Sequence, residues 1–222
     1  GWAFKADAQQ TAVEVLRAVR RRYDIDENRI VLGGVDRGGH MTWDIALRNP
    51  DLFAGVIAAN GSPRLGNVFW DNNMAFIEAL AATPVRALQW GPREPVQLQN
   101  QRRALQLLQR FGNRDARSLV VKDLAAAFAA PDAGWEAFFA YRRSVASTLA
   151  RVPAIGDVPL AAQFGRRHWF DVVRTDPKLE IKWPMQVPAS KWNKLDEQGR
   201  RDLMDDYVRD LRRDPVVAWV DR

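Results

Sequence analysis

Arg29-Ile30-Val31-Leu32-Gly33-Gly34-Val35-Asp36-Arg37-Gly38-Gly39-His40-Met41-Thr42-Trp43 decides the fold. Arg29 to Gly34 is a short continuous apolar run, the pattern of a parallel strand buried on both faces. The run ends on two glycines, Val35-Asp36-Arg37 and two more glycines follow, and Gly38 to Arg48 reads as a helix stopped by Asn49-Pro50. A strand that enters a helix through so tight a turn lifts the central residue above the sheet, onto the positive end of the helix. That residue is Asp36.

Working outward, the residues before this run from Ala8 to Tyr23 place Ala12, Val15, Leu16 and Val19 at helical spacing, with Arg17, Arg20, Arg21 and Arg22 on the other face and in the last turn. The spacing predicts an amphipathic helix laid on a sheet. Asp24 to Asn28 is turn chemistry. After the turn-helix unit, Phe53 to Asn60 reads as a second buried strand, Asn73 to Ala81 as a helix, Pro84 to Gly91 as a third strand, Val96 to Phe111 as a helix and Arg117 to Val121 as a fourth strand. Strands alternating with helices of this length imply right-handed parallel βαβ units, hence an α/β fold with a doubly wound, mostly parallel sheet.

The texture changes from about Val152 on, where prolines and tryptophans gather and a last helix is predicted around Leu195 to Arg213. The expected division is residues 1–150 as the sheet domain and residues 151–222 as a C-terminal helical appendage. There is no repeat and no low-complexity tract.

The 222 residues are 47% hydrophobic and carry a formal charge of +6, which fits one substantial core and excludes a disordered composition. Lysine and arginine are interleaved with acids, so the charge reads as a solvated arginine-rich surface rather than a nucleic-acid footprint. No apolar run reaches the roughly 20 residues that a membrane-spanning helix needs. Having no cysteine excludes disulfides and a cysteine nucleophile and leaves the compartment open. No His/Asp/Glu group has metal-ligand spacing, and the glycine pairs belong to the turn rather than to a phosphate loop, so neither metal nor cofactor is expected.

The run from Tyr23 to Gly39, continued by Thr42-Trp43, Ala46, Pro50-Asp51-Leu52-Phe53-Ala54 and Asn60-Gly61, resembles the α/β-hydrolase superfamily, and within it the polyhydroxybutyrate-depolymerase-like and prolyl-oligopeptidase-like esterases. The resemblance covers residues 8 to 63 closely and extends more loosely to about 145. In such enzymes the turn is a nucleophile elbow, G-x-S-x-G. Here Gly34, Gly38 and Gly39 supply its glycines and Asp36 stands where serine belongs. The resemblance implies an acid after a later strand, which Gly91-Pro92-Arg93-Glu94 places at Glu94, and a histidine in or just after Val121 to Phe128, where there is none.

The two histidines are His40, one turn beyond Asp36, and His168, among aromatics in the tail. Serine hydrolysis needs a hydroxyl, a base and a group that orients the base; the first is replaced and the second is missing from its expected place. The expected function is therefore a hydrolase-fold protein with a degenerate triad, a pseudoenzyme acting as a structural or binding subunit. The alternative is an active esterase, peptidase or dehalogenase-like hydrolase in which Asp36 attacks, Arg37 holds an anionic substrate, Glu94 orients and His40 or His168 is the base. That alternative resembles the superfamily's haloacid-processing members through Asp36-Arg37-Gly38. A basic nucleic-acid-associated module is the remaining reading.

The resemblance also implies several strands before the first predicted helix. A sheet without them exposes unpaired edges, so a partner chain or a further N-terminal segment is expected to complete it.

Overall fold

The alternation of buried apolar runs with amphipathic stretches builds a parallel α/β sheet in a computed structural model that describes residues 6–63, 73–91, 95–143, 149–152, 193–196, 198–200, 202–203 and 216–219. Gly1–Asn73 with Ile77–Ser144 form one compact unit, and Met74–Phe76 with Val145–Arg222 form another.

In the first unit, helix α1 (Ala6–Arg22) precedes strand β1 (Val31–Val35), helix α2 (Arg37–Arg48), strand β2 (Gly55–Ala59), strand β3 (Val85–Gln89), helix α3 (Pro95–Arg110) and strand β4 (Ala116–Val120), and a 3₁₀ segment (Asn73–Leu80), whose Met74–Phe76 belong to the other unit, lies between β2 and β3 in the chain. The four strands lie side by side in chain order, all parallel. Each step moves the same way along the sheet, so right-handed crossovers put α2 and α3 on one face. Gly34 shows this directly, because a methyl group on it would overlap the Gly38 carbonyl of α2 and meet Thr42 Oγ1.

Side chains alternate across a strand, and the register puts Gly55, Ile57 and Ala59 on the same face as Arg86 and Leu88. Helices α4 (Leu124–Ala129) and α5 (Trp135–Ala140) cover that opposite face. Ala59, Leu88 and Leu119 pack there with Ala127 and Ala133, and Trp90, Val121 and Trp135 close the cluster. Phe138 sits over Gly55, where any side chain would strike its ring. Fully buried Arg86 ties this layer down. It donates to the Ala133 and Asp115 carbonyls, pairs with the Asp115 carboxylate at 2.8 Å and stacks 4.8 Å from the Phe138 ring centre.

The sequence pattern found α1 but misjudged what it covers. Ala12 and Leu16 are half-buried, whereas Val15 and Tyr23 are each 58% exposed and Val19 is exposed as well. These three, spaced four apart, form an apolar stripe about two turns long that ends just past α1. Among the described residues β1 has β2 as its one strand neighbour, and Val35 at its end is exposed. The open edge and the bare stripe belong to consecutive elements.

In the second unit, β5 (Leu149–Val152) pairs antiparallel with β6 (Val216–Trp219). Sequence reading expected only a helix in this extension. Both strands are four residues long, and Val216-Val217-Ala218-Trp219 is a continuous apolar run, which periodicity alone does not separate from helix. Of the helix expected around Leu195 to Arg213, residues 198–200 and 202–203 are helical, Leu195 and Asp196 are a bend and an irregular residue before it, and the remainder lies outside the described residues. No helix among the described residues is long and apolar enough to cross a membrane.

Candidate functional site

Asp36 follows the last residue of β1 and is the N-cap of α2. Its backbone has φ 52° and ψ −113°, a region that only glycine enters freely and that costs another residue on the order of 1–3 kcal/mol. The strain is held from both sides. Its N–H donates to the Ala59 carbonyl at 2.9 Å, and its carbonyl accepts the His40 N–H at 3.1 Å.

The strain decides where the carboxylate goes. Aspartate is among the best N-cap residues because an extended backbone lets its side chain accept an N–H of the first turn. Asp123, with φ −157° and ψ 179°, does this for α4 and accepts from Ala126 N at 2.7 Å. Asp26 does it for the 3₁₀ turn Glu27–Arg29 and accepts from Asn28 N at 3.1 Å. Asp36 makes no such bond, and it is exposed. Its left-handed φ keeps the carboxylate off its own helix and presents it to solvent at the carboxyl ends of the strands, where ligands of open parallel sheets bind.

The glycines do not share the turn equally. A side chain on Gly34 would overlap Gly38, and one on Gly39 would overlap the Ala59 carbonyl and meet Gly61 N. Gly61 packs as tightly from the other side, against Gly39 and the His40 N–H. Gly38 has nothing within 4 Å of where its side chain would be. The close approach of α2 to the sheet thus runs through Gly34, Gly39 and Gly61, and the second glycine of the G-x-D-x-G pattern has open space.

His40 is 6% exposed. Its Nδ1 lies 2.9 Å from the Ser62 carbonyl and 3.1 Å from Ser62 N, so that nitrogen is spent on backbone in either tautomer. Burial pushes its pKa below the ordinary value, opposed by the Ser62 backbone bond and by the Asp36 carboxylate. Trp43 Nε1 donates to the Gly61 carbonyl at 3.3 Å, completing the seam between α2 and the loop after β2. Arg37 is exposed in the first turn of α2 beside Asp36. Glu94 and His168 lie outside the described residues. Past β4, where the resemblance implies a histidine, the chain reads Val121-Lys122-Asp123 and Asp123 is occupied in capping. No group of three or more His, Asp or Glu residues that could hold a metal occurs among the described residues.

One residue of the resemblance has a role that its sequence does not show. Asn60, at the exit of β2, has φ 50° and accepts Trp90 N at 2.9 Å through Oδ1. The Asn60-Gly61 pair was its only signal, as a turn marker directly after a buried strand.

No family model matches the chain, and no curated protein sequence matches it. Among solved structures it is similar to a thermostable esterase, at 20% identity and TM-score 0.50 over 62% of this chain and 37% of that one. An acylaminoacyl peptidase of Pyrococcus horikoshii also matches, at 17% identity and TM-score 0.43 over 52% of this chain and 23% of that one. The chain spans little more than a third of the length of the esterase. At this identity the likeness shows the fold, a parallel sheet of the α/β-hydrolase type.

Proposed function

We propose that this chain is part of a hydrolase-fold protein whose serine-hydrolase chemistry has been lost, and that it serves as a binding or structural module. The observation that carries the reading is the pairing of Asp36 with His40. A carboxylate occupies the strained turn where a hydroxyl would attack, and the imidazole nearest in sequence is packed with Nδ1 bound to Ser62. A hydrolase of this kind needs an imidazole that takes the nucleophile's proton and returns it to the leaving group. Short p-nitrophenyl esters are expected to give no turnover, and a fluorophosphonate probe no label. Robust ester hydrolysis that disappears in Asp36→Ala would refute the proposal.

The withheld cap bond favours a second reading, in which the Asp36 carboxylate is itself the nucleophile. It would attack an alkyl carbon to form an ester as the carbon–halogen bond breaks and halide leaves, or as the epoxide C–O bond breaks and its oxygen takes a proton from water, and release of that ester would need a second water activated by a base. Intact-mass spectrometry after exposure to an epoxide or a haloacid tests this, since an Asp36 adduct supports it and an unmodified chain removes it.

The open edge of β1 and the exposed stripe of Val15, Val19 and Tyr23 support a further part of the proposal: that additional strands, from a preceding segment or from a second chain, continue the sheet beyond β1. Unpaired edges flanked by apolar side chains are the arrangement that folded proteins cover.

A further inference from the structure

We infer that Asn60 is a positioning residue for the Asp36 carboxylate, acting through a clamp between the exits of β2 and β3. The inference rests on the proposal that Asp36 is a binding group at the mouth of the sheet. Among the described residues, Asp36 and Asn60 are the two non-glycine positions with positive φ, 52° and 50°. They stand at the ends of adjacent strands and share one peptide group. The carbonyl of the Ala59–Asn60 peptide accepts the Asp36 N–H at 2.9 Å, and the N–H of the same peptide donates to the Leu88 carbonyl at 2.8 Å. A left-handed residue on either side of one fixed peptide is an improbable pair of accidents, and such strain persists only where the surroundings over-determine it.

What over-determines Asn60 is its side chain. Oδ1 accepts the N–H of Trp90, the residue just after β3, at 2.9 Å. From there the chain turns so that Gly61 lies flush against Gly39, the Gly61 carbonyl receives Trp43 Nε1 and the Ser62 backbone meets His40 Nδ1. Each of those three partners lies in the first two turns of α2. Asn60 therefore anchors one end of a bracket whose other end pins the helix that Asp36 begins.

Without the Oδ1 acceptor, the left-handed conformation at position 60 loses the bond that holds it, and the bracket is released from α2. Asp36 is then free to adopt the extended N-cap conformation seen at Asp123, and its carboxylate turns onto its own helix. The clamp keeps the carboxylate available by denying it the cap.

The test reads carboxylate availability directly. The chain is treated with a water-soluble carbodiimide and excess glycinamide, and modification is followed by peptide mass mapping, with exposed Asp132 as internal reference. In Asn60→Asp, which keeps an acceptor oxygen and tolerates a left-handed backbone, Asp36 is expected to react at the wild-type rate relative to Asp132. In Asn60→Ala the relative rate is expected to fall about fivefold, the factor that one helix-cap hydrogen bond is worth. Asn60→Gly tolerates the left-handed conformation without strain, so it folds even where the alanine variant does not, but without the acceptor nothing holds it in that conformation. The same fall is expected there. A folded Ala or Gly variant that modifies Asp36 at the wild-type relative rate overturns the inference, as does a fall in Asn60→Asp equal to that in Asn60→Ala. Ester turnover by the wild-type chain, which would remove the binding proposal, is measured in a separate assay and leaves these ratios unchanged.

Discussion

His40 Nδ1 faces both backbone groups of Ser62, 2.9 Å from the carbonyl oxygen and 3.1 Å from the nitrogen. A neutral ring with a bare Nδ1 accepts from the Ser62 N–H, and a ring protonated there donates to the carbonyl instead. Either way the imidazole serves as a bolt between α2 and the loop after β2. Its place one turn beyond Asp36 ties α2 to that loop, and the tie occupies Nδ1 with backbone.

A pH dependence of stability follows. Burial is the largest influence on His40 and lowers its pKa from 6.5, against smaller raising effects of the Ser62 backbone and Asp36. The folded chain then binds this proton less readily than the unfolded chain. Stability from the neutral ring is fully present above the unfolded value of 6.5 and declines as pH falls through it toward the folded value. Urea midpoints are expected to drop between about pH 7.5 and about pH 5.5, and to drop less in His40→Asn. Parallel curves for the two proteins would show that burial of this ring is not coupled to folding.

The glycines around the turn separate by substitution. Gly38→Ala meets open space and gains helix propensity, so it is expected to stabilise by about 0.5–1 kcal/mol. Gly39→Ala and Gly61→Ala drive a methyl group into backbone of the facing element and are expected to destabilise by about 2 kcal/mol or more, since backbone yields less readily than a side chain. Thermal unfolding of the three variants checks the order. A Gly38→Ala variant as damaged as the other two would mean that the helix approaches the sheet somewhere else.

Much of this architecture was legible in the chain. The runs Val31–Val35 and Gly55–Ala59 are apolar, Val85–Gln89 and Ala116–Val120 carry two polar residues each, and each of the four is a parallel strand near its expected place. The strained turn at Asp36 could be read because glycines flank it. Three things could not be read. The exposed stripe on α1 has the same periodicity as a buried one, and periodicity does not say what lies opposite. Asn60 looks like an ordinary turn residue until its φ and its bond to Trp90 are known. Gly38 and Gly39 are indistinguishable in sequence, and only the approach of Ala59 and Gly61 separates them.

A hydroxyl placed at position 36 is not expected by itself to give ester hydrolysis. Asp36→Ser places a nucleophile in the strained turn, but His40 remains packed on Ser62 and the segment Val121-Lys122-Asp123 offers no imidazole. Without a base, serine at neutral pH is a poor nucleophile. Hydrolysis of p-nitrophenyl acetate by Asp36→Ser should stay at the level of the wild-type chain. A clear gain in turnover would show that a base reaches position 36, and the proposed loss of chemistry would then reduce to one residue.

The last prediction separates function from stability at the same atom. Asp36 sits at φ 52° and ψ −113° and makes no cap bond, so the folded chain bears the backbone strain without the compensation that Asp26 and Asp123 receive from their helices. Glycine enters that region freely. Strain of on the order of 1–3 kcal/mol is removed, while the extra freedom of glycine in the unfolded chain returns about 0.5–1 kcal/mol. Asp36→Gly is therefore expected to be more stable than wild type by about 1 kcal/mol, with α2 unchanged by circular dichroism. A residue whose removal stabilises the fold is one that the fold does not need, and its carboxylate is then retained for contact with something outside the chain. Loss of stability in Asp36→Gly would instead assign the side chain a structural partner and remove the basis for placing a binding group at this turn.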